Sequence, residues 1–160
     1  MTYEIAICDD EEKQRAYMKS LVERWLHQTF HHAQIREYAS SEQFLFEQAD
    51  ARTQILFLDI EMEKMDGIAL AREIRKHNRQ MQIIFVTGYM EYIQEGYDVE
   101  ALHYLLKPVS QEKTDSVLER AVERLKTADA VLFVESSGEL TRIPLHEIRY
   151  IESNRNYNII

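Results

Sequence analysis

The chain has 160 residues, 45% hydrophobic and 29% charged, enough for one ordinary domain plus a fragment of another. Its net charge of −9, with neither residues 1–126 nor residues 127–160 basic, argues against nonspecific phosphate-backbone binding; a nucleic-acid reader would need a local patch or lie outside the chain. No apolar run approaches a membrane span, Met1–Glu4 does not begin a secretory signal, and the single cysteine, Cys8, excludes an internal disulfide and fits a reducing cytoplasm.

In chain order, Tyr3–Cys8 reads as a strand, apolar where it ends, and it delivers Asp9-Asp10. Cys8 is read as a packing residue. From Glu11 to Gln28 the apolar residues Tyr17, Met18, Leu21, Val22, Trp25 and Leu26 recur at helical spacing. Gln34–Tyr38 suits a short strand, and Ser40 with Gln43 has capping-box spacing for a helix burying Phe44, Leu45 and Ala49. Ile55–Leu58 is a continuous apolar run ending in Asp59, the mark of a strand buried on both faces. Glu61–Asp66 reads as a loop, and Asp66-Gly67 opens a helix carrying Ile68, Leu70, Ala71 and Ile74.

Gln82–Thr87 is another buried run, with Gly88 behind it, and Glu91–Asp98 suits a short helix. Ala101–Leu106 is a fifth strand ending at Lys107-Pro108. Ser110 caps a last helix with a stripe of Val117, Leu118, Ala121, Val122 and Leu125. Five strands alternating with five helical patterns predict an α/β fold, a doubly wound five-stranded parallel sheet with helices on both faces. Beyond a polar joint, Lys126–Asp129, the period changes. Val131–Glu135, Leu140–Ile143 (ended by Pro144) and Ile148–Ser153 read as strands of a short β-rich fragment. Such a sheet is too small to be independently secure.

In open α/β sheets, ligands collect outside the carboxyl ends of the strands. Here those ends carry Asp9-Asp10, Asp59, Thr87 and Lys107. Three converging acids repel one another by several kcal/mol per close pair. A hard divalent cation with oxygen ligands, Mg2+, relieves that repulsion. Asp59 can then act as a nucleophile toward phosphorus, with Lys107 neutralising the transferred group and Thr87 donating a hydrogen bond to it. The backbone N–H groups of Ile60 and Gly88 would add donors. Singly, each residue has a bland alternative: a helix cap, a strand terminus, a solvated lysine. The agreement of four strand ends favours phosphoryl transfer onto a carboxylate.

The set Asp9-Asp10, Asp59, Met65-Asp66-Gly67, Thr87-Gly88 and Tyr104 three residues before Lys107-Pro108 resembles a response-regulator receiver domain of two-component signalling, flavodoxin-like in fold, over residues 1–126. The resemblance implies Asp59 as phosphoacceptor from a sensor histidine kinase, and Asp10 as a direct Mg2+ ligand with Asp9 assisting. It also implies the Glu61 backbone carbonyl as a further ligand, and a cis Lys107-Pro108 bond. It further implies a switch, in which Thr87 moves toward the phosphoryl group, Tyr104 changes rotamer, and the surface of the fourth helix, fifth strand and fifth helix changes partner. The chain departs from the family in its loop, Glu61-Met62-Glu63-Lys64-Met65, where proline is common. Glu61 and Tyr89 should flank the path of an attacking water, bulky Tyr89 slowing hydrolysis.

Residues 127–160 resemble the opening strands of a LytTR-type DNA-binding domain, carried by Ile143–Ser153 with Asn156-Tyr157. The resemblance implies a regulator that dimerises on activation and controls transcription, truncated here so that promoter binding is weak or absent. The exposed strands of the tail could pair with a neighbouring sheet. Two other readings are a stand-alone receiver acting on a protein partner, and a haloacid-dehalogenase-type phosphatase. The second puts its acidic pair after the lysine, whereas Asp9-Asp10 comes first. The six histidines (His27, His31, His32, His77, His103, His146) have no acid or thiol at zinc-site spacing, and no membrane partner is expected.

Overall fold

The computed structural model describes residues 2–47, 52–92, 98–128, 130–136, 138–145, 148–150, 152–154 and 157–159. The chain divides into two compact units, Met1–Ala121 and Val122–Ile160. The first holds strands β1 (Thr2–Cys8), β2 (His32–Tyr38), β3 (Ile55–Asp59), β4 (Gln82–Thr87) and β5 (His103–Leu106). They form one parallel sheet in the order β2-β1-β3-β4-β5. The order reverses between β1 and β3, which opens a crevice at their carboxyl ends.

The helices are α1 (Glu12–Thr29), α2 (Ser41–Glu47), α3 (Gly67–His77) and α4 (Gln111–Ala128), and the boundary between the two units falls within α4. Every residue of β3 is buried, and each apolar side chain of Ile55–Leu58 stabilises the fold by about 1.5–3 kcal/mol. Ser40 caps α2 through the Gln43 N–H (3.1 Å), while the Gln43 side chain reaches back to the Ala39 N–H (2.9 Å) rather than to that of Ser40. Asp66 caps α3, accepting from the Ala69 N–H at 2.7 Å. The predicted stripes of α3 and α4 are buried.

Several expectations need correction. Tyr17 is 45% exposed, and its hydroxyl donates to the Val109 carbonyl (2.7 Å) instead of filling the core. Leu26 is half-buried, and Ala49 lies outside the described residues. Most of the helix expected over Glu91–Asp98, residues 93–97, lies outside the described residues; Met90–Tyr92 at its start is a 3-10 turn. β5 starts at His103 rather than Ala101, the Leu102 N–H just before it binding the Ile83 carbonyl of β4 at 2.7 Å. Lys126–Ala128 is not a joint but the last turn of α4.

In the second unit, β6 (Val131–Ser136) and β7 (Glu139–Pro144) form an antiparallel hairpin, as expected for the first two strands of the tail. The third expected strand, Ile148–Ser153, is not formed as such. The Leu145 N–H still binds the Ala130 carbonyl (2.9 Å), one step beyond the Val131–Pro144 pair of the β6–β7 ladder; the Ile148 N–H then binds the Leu145 carbonyl (3.2 Å), and residues 148–150 belong to no strand. Strand pairing resumes only at β8 (Glu152–Asn154), whose partner is β9 (Tyr157–Ile159). No helix among the described residues is long and apolar enough to cross a membrane.

Candidate functional site at the strand ends

β1 and β3 run parallel with Cys8 opposite Leu58, so Asp9 and Asp59 leave the sheet side by side. β4 and β5 bring Thr87 opposite Leu106, the residue before Lys107, and the Lys107 N–H donates to the Thr87 carbonyl at 2.8 Å. Four strand ends thus deliver their side chains to one edge of the sheet.

Asp9 is 5% exposed and held from several directions. Its N–H extends the β1–β2 ladder to Tyr38 (3.1 Å), and Oδ1 accepts from the Glu11 N–H (2.9 Å). Its Oδ2 accepts from Lys107 Nζ (2.9 Å), and its carbonyl accepts from Arg15 Nη1 (2.7 Å). Lys107 Nζ also lies 3.4 Å from Asp59 Oδ2, so one ammonium is shared between two buried carboxylates. Asp10 is exposed. Oxygens of Asp9, Asp10 and Asp59 all lie within 4.8 Å of one another. This all-oxygen donor set, partly open to solvent, fits a hard divalent cation such as Mg2+ and could hold one.

The electrostatics match that crowding. Burial first, then the charge of Asp9, pushes the Asp59 pKa up from 3.8 to about 6, against the opposing pull of Lys107 and of the Glu61 N–H that donates to it. Burial works against the charge of Lys107, but its hydrogen bond to Asp9 and the two carboxylate charges outweigh burial and raise its pKa. Cys8, fully buried behind these acids, has its thiol pushed up to about 12 by burial and by Asp9 and Asp59. A thiol so raised stays protonated, which fits the packing role.

Thr87 is buried, and its hydroxyl accepts from the Tyr89 N–H at 3.1 Å. Ile60 turns its side chain into the core and offers only backbone at the strand end. Gly88 is exposed, and a Cβ there would meet nothing within 4 Å. Tyr89, 48% exposed, and Glu61, also exposed, each follow a strand end by two residues, after β4 and β3 respectively. Tyr104 is half-buried and stacks on Phe85, centroids 5.1 Å apart. The Lys107-Pro108 bond is cis, as the resemblance implied.

Some contributors carried no readable signal. Arg15 is one charged residue among several in α1, and only the fold shows it bound to the Asp9 carbonyl. Ser41, fully buried, donates to the Met65 carbonyl (2.8 Å) and ties α2 to the loop that follows Asp59. The same loop is closed by the Gly67 N–H to the Ile60 carbonyl (2.9 Å) and touched by Cys8 Sγ at Met62 Sδ (3.9 Å). Three such ties hold it without the proline common in the family.

The sequence profile of the response regulator receiver domain matches residues 5–119. The chain is 28% identical to the sensory transduction protein LytT of Bacillus cereus over 144 residues, covering 90% of this chain and 56% of that protein. It is 33% identical to the accessory gene regulator protein A of Staphylococcus epidermidis over 130 residues, covering 76% and 55%. The chain therefore spans about half the length of the curated relatives it matches. Among solved structures, the receiver domain of AraT from Geobacillus stearothermophilus aligns with TM-score 0.68 and 26% identity, covering 79% of this chain and 97% of that one. The response regulatory domain of mrkE from Klebsiella pneumoniae aligns with TM-score 0.69 and 22% identity, covering 77% and 98%, a likeness of fold.

Proposed function

The chain belongs to the response regulator receiver family, and from that premise we propose that it is a two-component phosphoryl switch with Asp59 as acceptor. The observation that carries this reading is the Lys107 ammonium, 2.9 Å from Asp9 and 3.4 Å from Asp59 at the sheet's crevice. A carboxylate oxygen of Asp59 attacks the phosphorus of a sensor kinase phosphohistidine. The O–P bond forms, the P–N bond breaks, and the imidazole nitrogen keeps the electron pair.

Lys107 neutralises charge on the arriving group, and the Thr87 hydroxyl and the N–H groups of Ile60 and Gly88 donate to its oxygens. Asp9, Asp10, Asp59 and the Glu61 carbonyl would hold Mg2+, which supplies charge neutralisation when bound. Phosphorylation adds roughly one negative charge at a buried carboxylate and biases a two-state element. In that element Thr87 turns from its loop toward the phosphoryl group, and Tyr104 repositions beside Phe85. The surface around β5 and α4 then favours a homodimer.

We assign residues 1–126 to the receiver and 127–160 to a linker and the opening strands of an incomplete LytTR-type DNA-binding domain, the output through which the full-length parent would control transcription in the cytoplasm. The alignment to LytT, which runs over 90% of this chain, and the β6–β7 hairpin support that output. Intact mass after incubation with acetyl phosphate and Mg2+ tests the acceptor role. One phosphoryl adduct is expected on the wild type and none on Asp59→Asn or without metal; no adduct on the wild type would overturn it.

A further inference from the structure

A second site is present on the first unit, away from the acidic crevice. A cleft of about 300 Å³ is lined by His103 on β5 and by Ser110, Glu112, Lys113, Ser116, Val117 and Arg120 on and before α4. We propose that this cleft binds a small multivalent oxyanion, a phosphate or a polycarboxylate, through Lys113, Arg120 and His103.

The placement follows from the two periodicities. Positions 113, 116, 117 and 120 share one face of α4, with Lys113 and Arg120 about two turns apart. β5 alternates its side chains, so His103 and Tyr104 point to opposite faces of the sheet. Two permanent cations and an imidazole thus surround one cleft, and the Ser110 and Ser116 hydroxyls line it with further donors.

The cations outnumber the acids in the lining. Among the described residues neither Lys113 nor Arg120 enters an ion pair, and the one acid in the lining, Glu112, is exposed. The His103 pKa is pushed down by burial and then by Arg120 and Lys113, with no carboxylate opposing them. In a chain of net charge −9, a cleft whose lining sets two cations and an imidazole against one carboxylate, Glu112, is a local exception. Its volume suits a compact anion with several acceptor oxygens, for which paired cations and hydroxyl donors are the matching chemistry. The site stands whether or not Asp59 accepts a phosphoryl group.

The test is proton NMR of the imidazole signals of the metal-free protein, titrated with inorganic phosphate and, separately, citrate, at constant pH and ionic strength set with sodium chloride. The His103 signal is expected to shift saturably while that of exposed His77 does not. Lys113→Gln or Arg120→Gln should each weaken binding roughly fivefold, as loss of one partly exposed charge contact would. Saturation by phosphate alone identifies a phosphate or phosphomonoester ligand, and by citrate alone a polycarboxylate. A His103 shift that chloride reproduces, that never saturates, or that both variants retain unchanged overturns the proposal.

Discussion

A Cβ built on Gly67 would overlap the carbonyl oxygen of Asp59 and stand 2.9 Å from its carbonyl carbon. The first residue of α3 therefore packs directly on the backbone of the strand end that carries the candidate acceptor. Gly67→Ala should force the two apart and destabilise the protein by about 2 kcal/mol, as overpacking at a rigid backbone contact does. Urea denaturation measures the loss, and an unchanged midpoint would refute the close packing.

Lys107 divides one charge between Asp9 and Asp59. Lys107→Met should cut phosphorylation by acetyl phosphate at least about tenfold, since the developing phosphoryl charge loses its neutralising partner. The same variant should bind Mg2+ at least as tightly as the wild type, because a competing cation has left the carboxylates. Weaker Mg2+ binding, read from the metal-dependent rise in Tm, would mean that Lys107 chiefly organises the acids.

Asp59 gives the metal-free protein a defined pH dependence. Its folded pKa of about 6 lies above the ordinary 3.8, so between these values the folded state holds a proton that the unfolded state has released. The ionisation cost is absent below 3.8 and fully present above about 6, so stability falls as pH rises through that window. Asp59→Asn removes the cost. At pH 7.5 it should be more stable than metal-free wild type by on the order of 2 kcal/mol. The two should converge only as pH falls below 3.8, and Mg2+ should narrow the gap at pH 7.5. Parallel stability curves across this range would exclude the raised pKa.

Tyr89 stands half exposed beside the Thr87 hydroxyl that its N–H engages. If its ring shields the acyl phosphate from water, Tyr89→Ala should shorten the phosphoryl half-life several-fold without slowing phosphorylation. An unchanged half-life, followed by loss of the mass adduct over time, would remove Tyr89 from that role.

The buried Ser41 hydroxyl holds the Met65 carbonyl at 2.8 Å. Ser41→Ala should cost about 1 kcal/mol and leave the loop after Asp59 more open to amide hydrogen exchange at residues 61–66. Exchange equal to that of the wild type would show the other loop contacts to be sufficient.

Much of the first unit was legible because its signals are local. Ile55–Leu58 is apolar without a break and Asp59 ends it, so a buried strand with an acid at its mouth follows from a few consecutive residues. The stripes of α3 and α4 and the caps at Ser40 and Ser110 were readable for the same reason. Tyr17 was misread because helical spacing cannot tell a ring in the core from one at its rim with a polar tip bound elsewhere. The strand expected at Ile148–Ser153 failed because alternation gives a strand no partner. The ladder with β6 runs on through the Leu145 bond to Ala130, and residues 148–150 then pair with no strand among the described residues.

By itself the sequence determined which residues stand at which strand ends, since hydrophobic period and terminators act over neighbouring residues. Only the tertiary structure decided how far apart those ends lie. Lys107 meets Asp9 across 98 positions of chain, Arg15 finds the Asp9 carbonyl, and Gly67 is pressed against Asp59. Such contacts depend on the packing of whole helices onto a twisted sheet, and no local pattern encodes that distance. The same holds for the cleft beside His103: Lys113 and Arg120 share a face of α4 by helical spacing, but only the folded chain brings His103 of β5 to line the cleft with them.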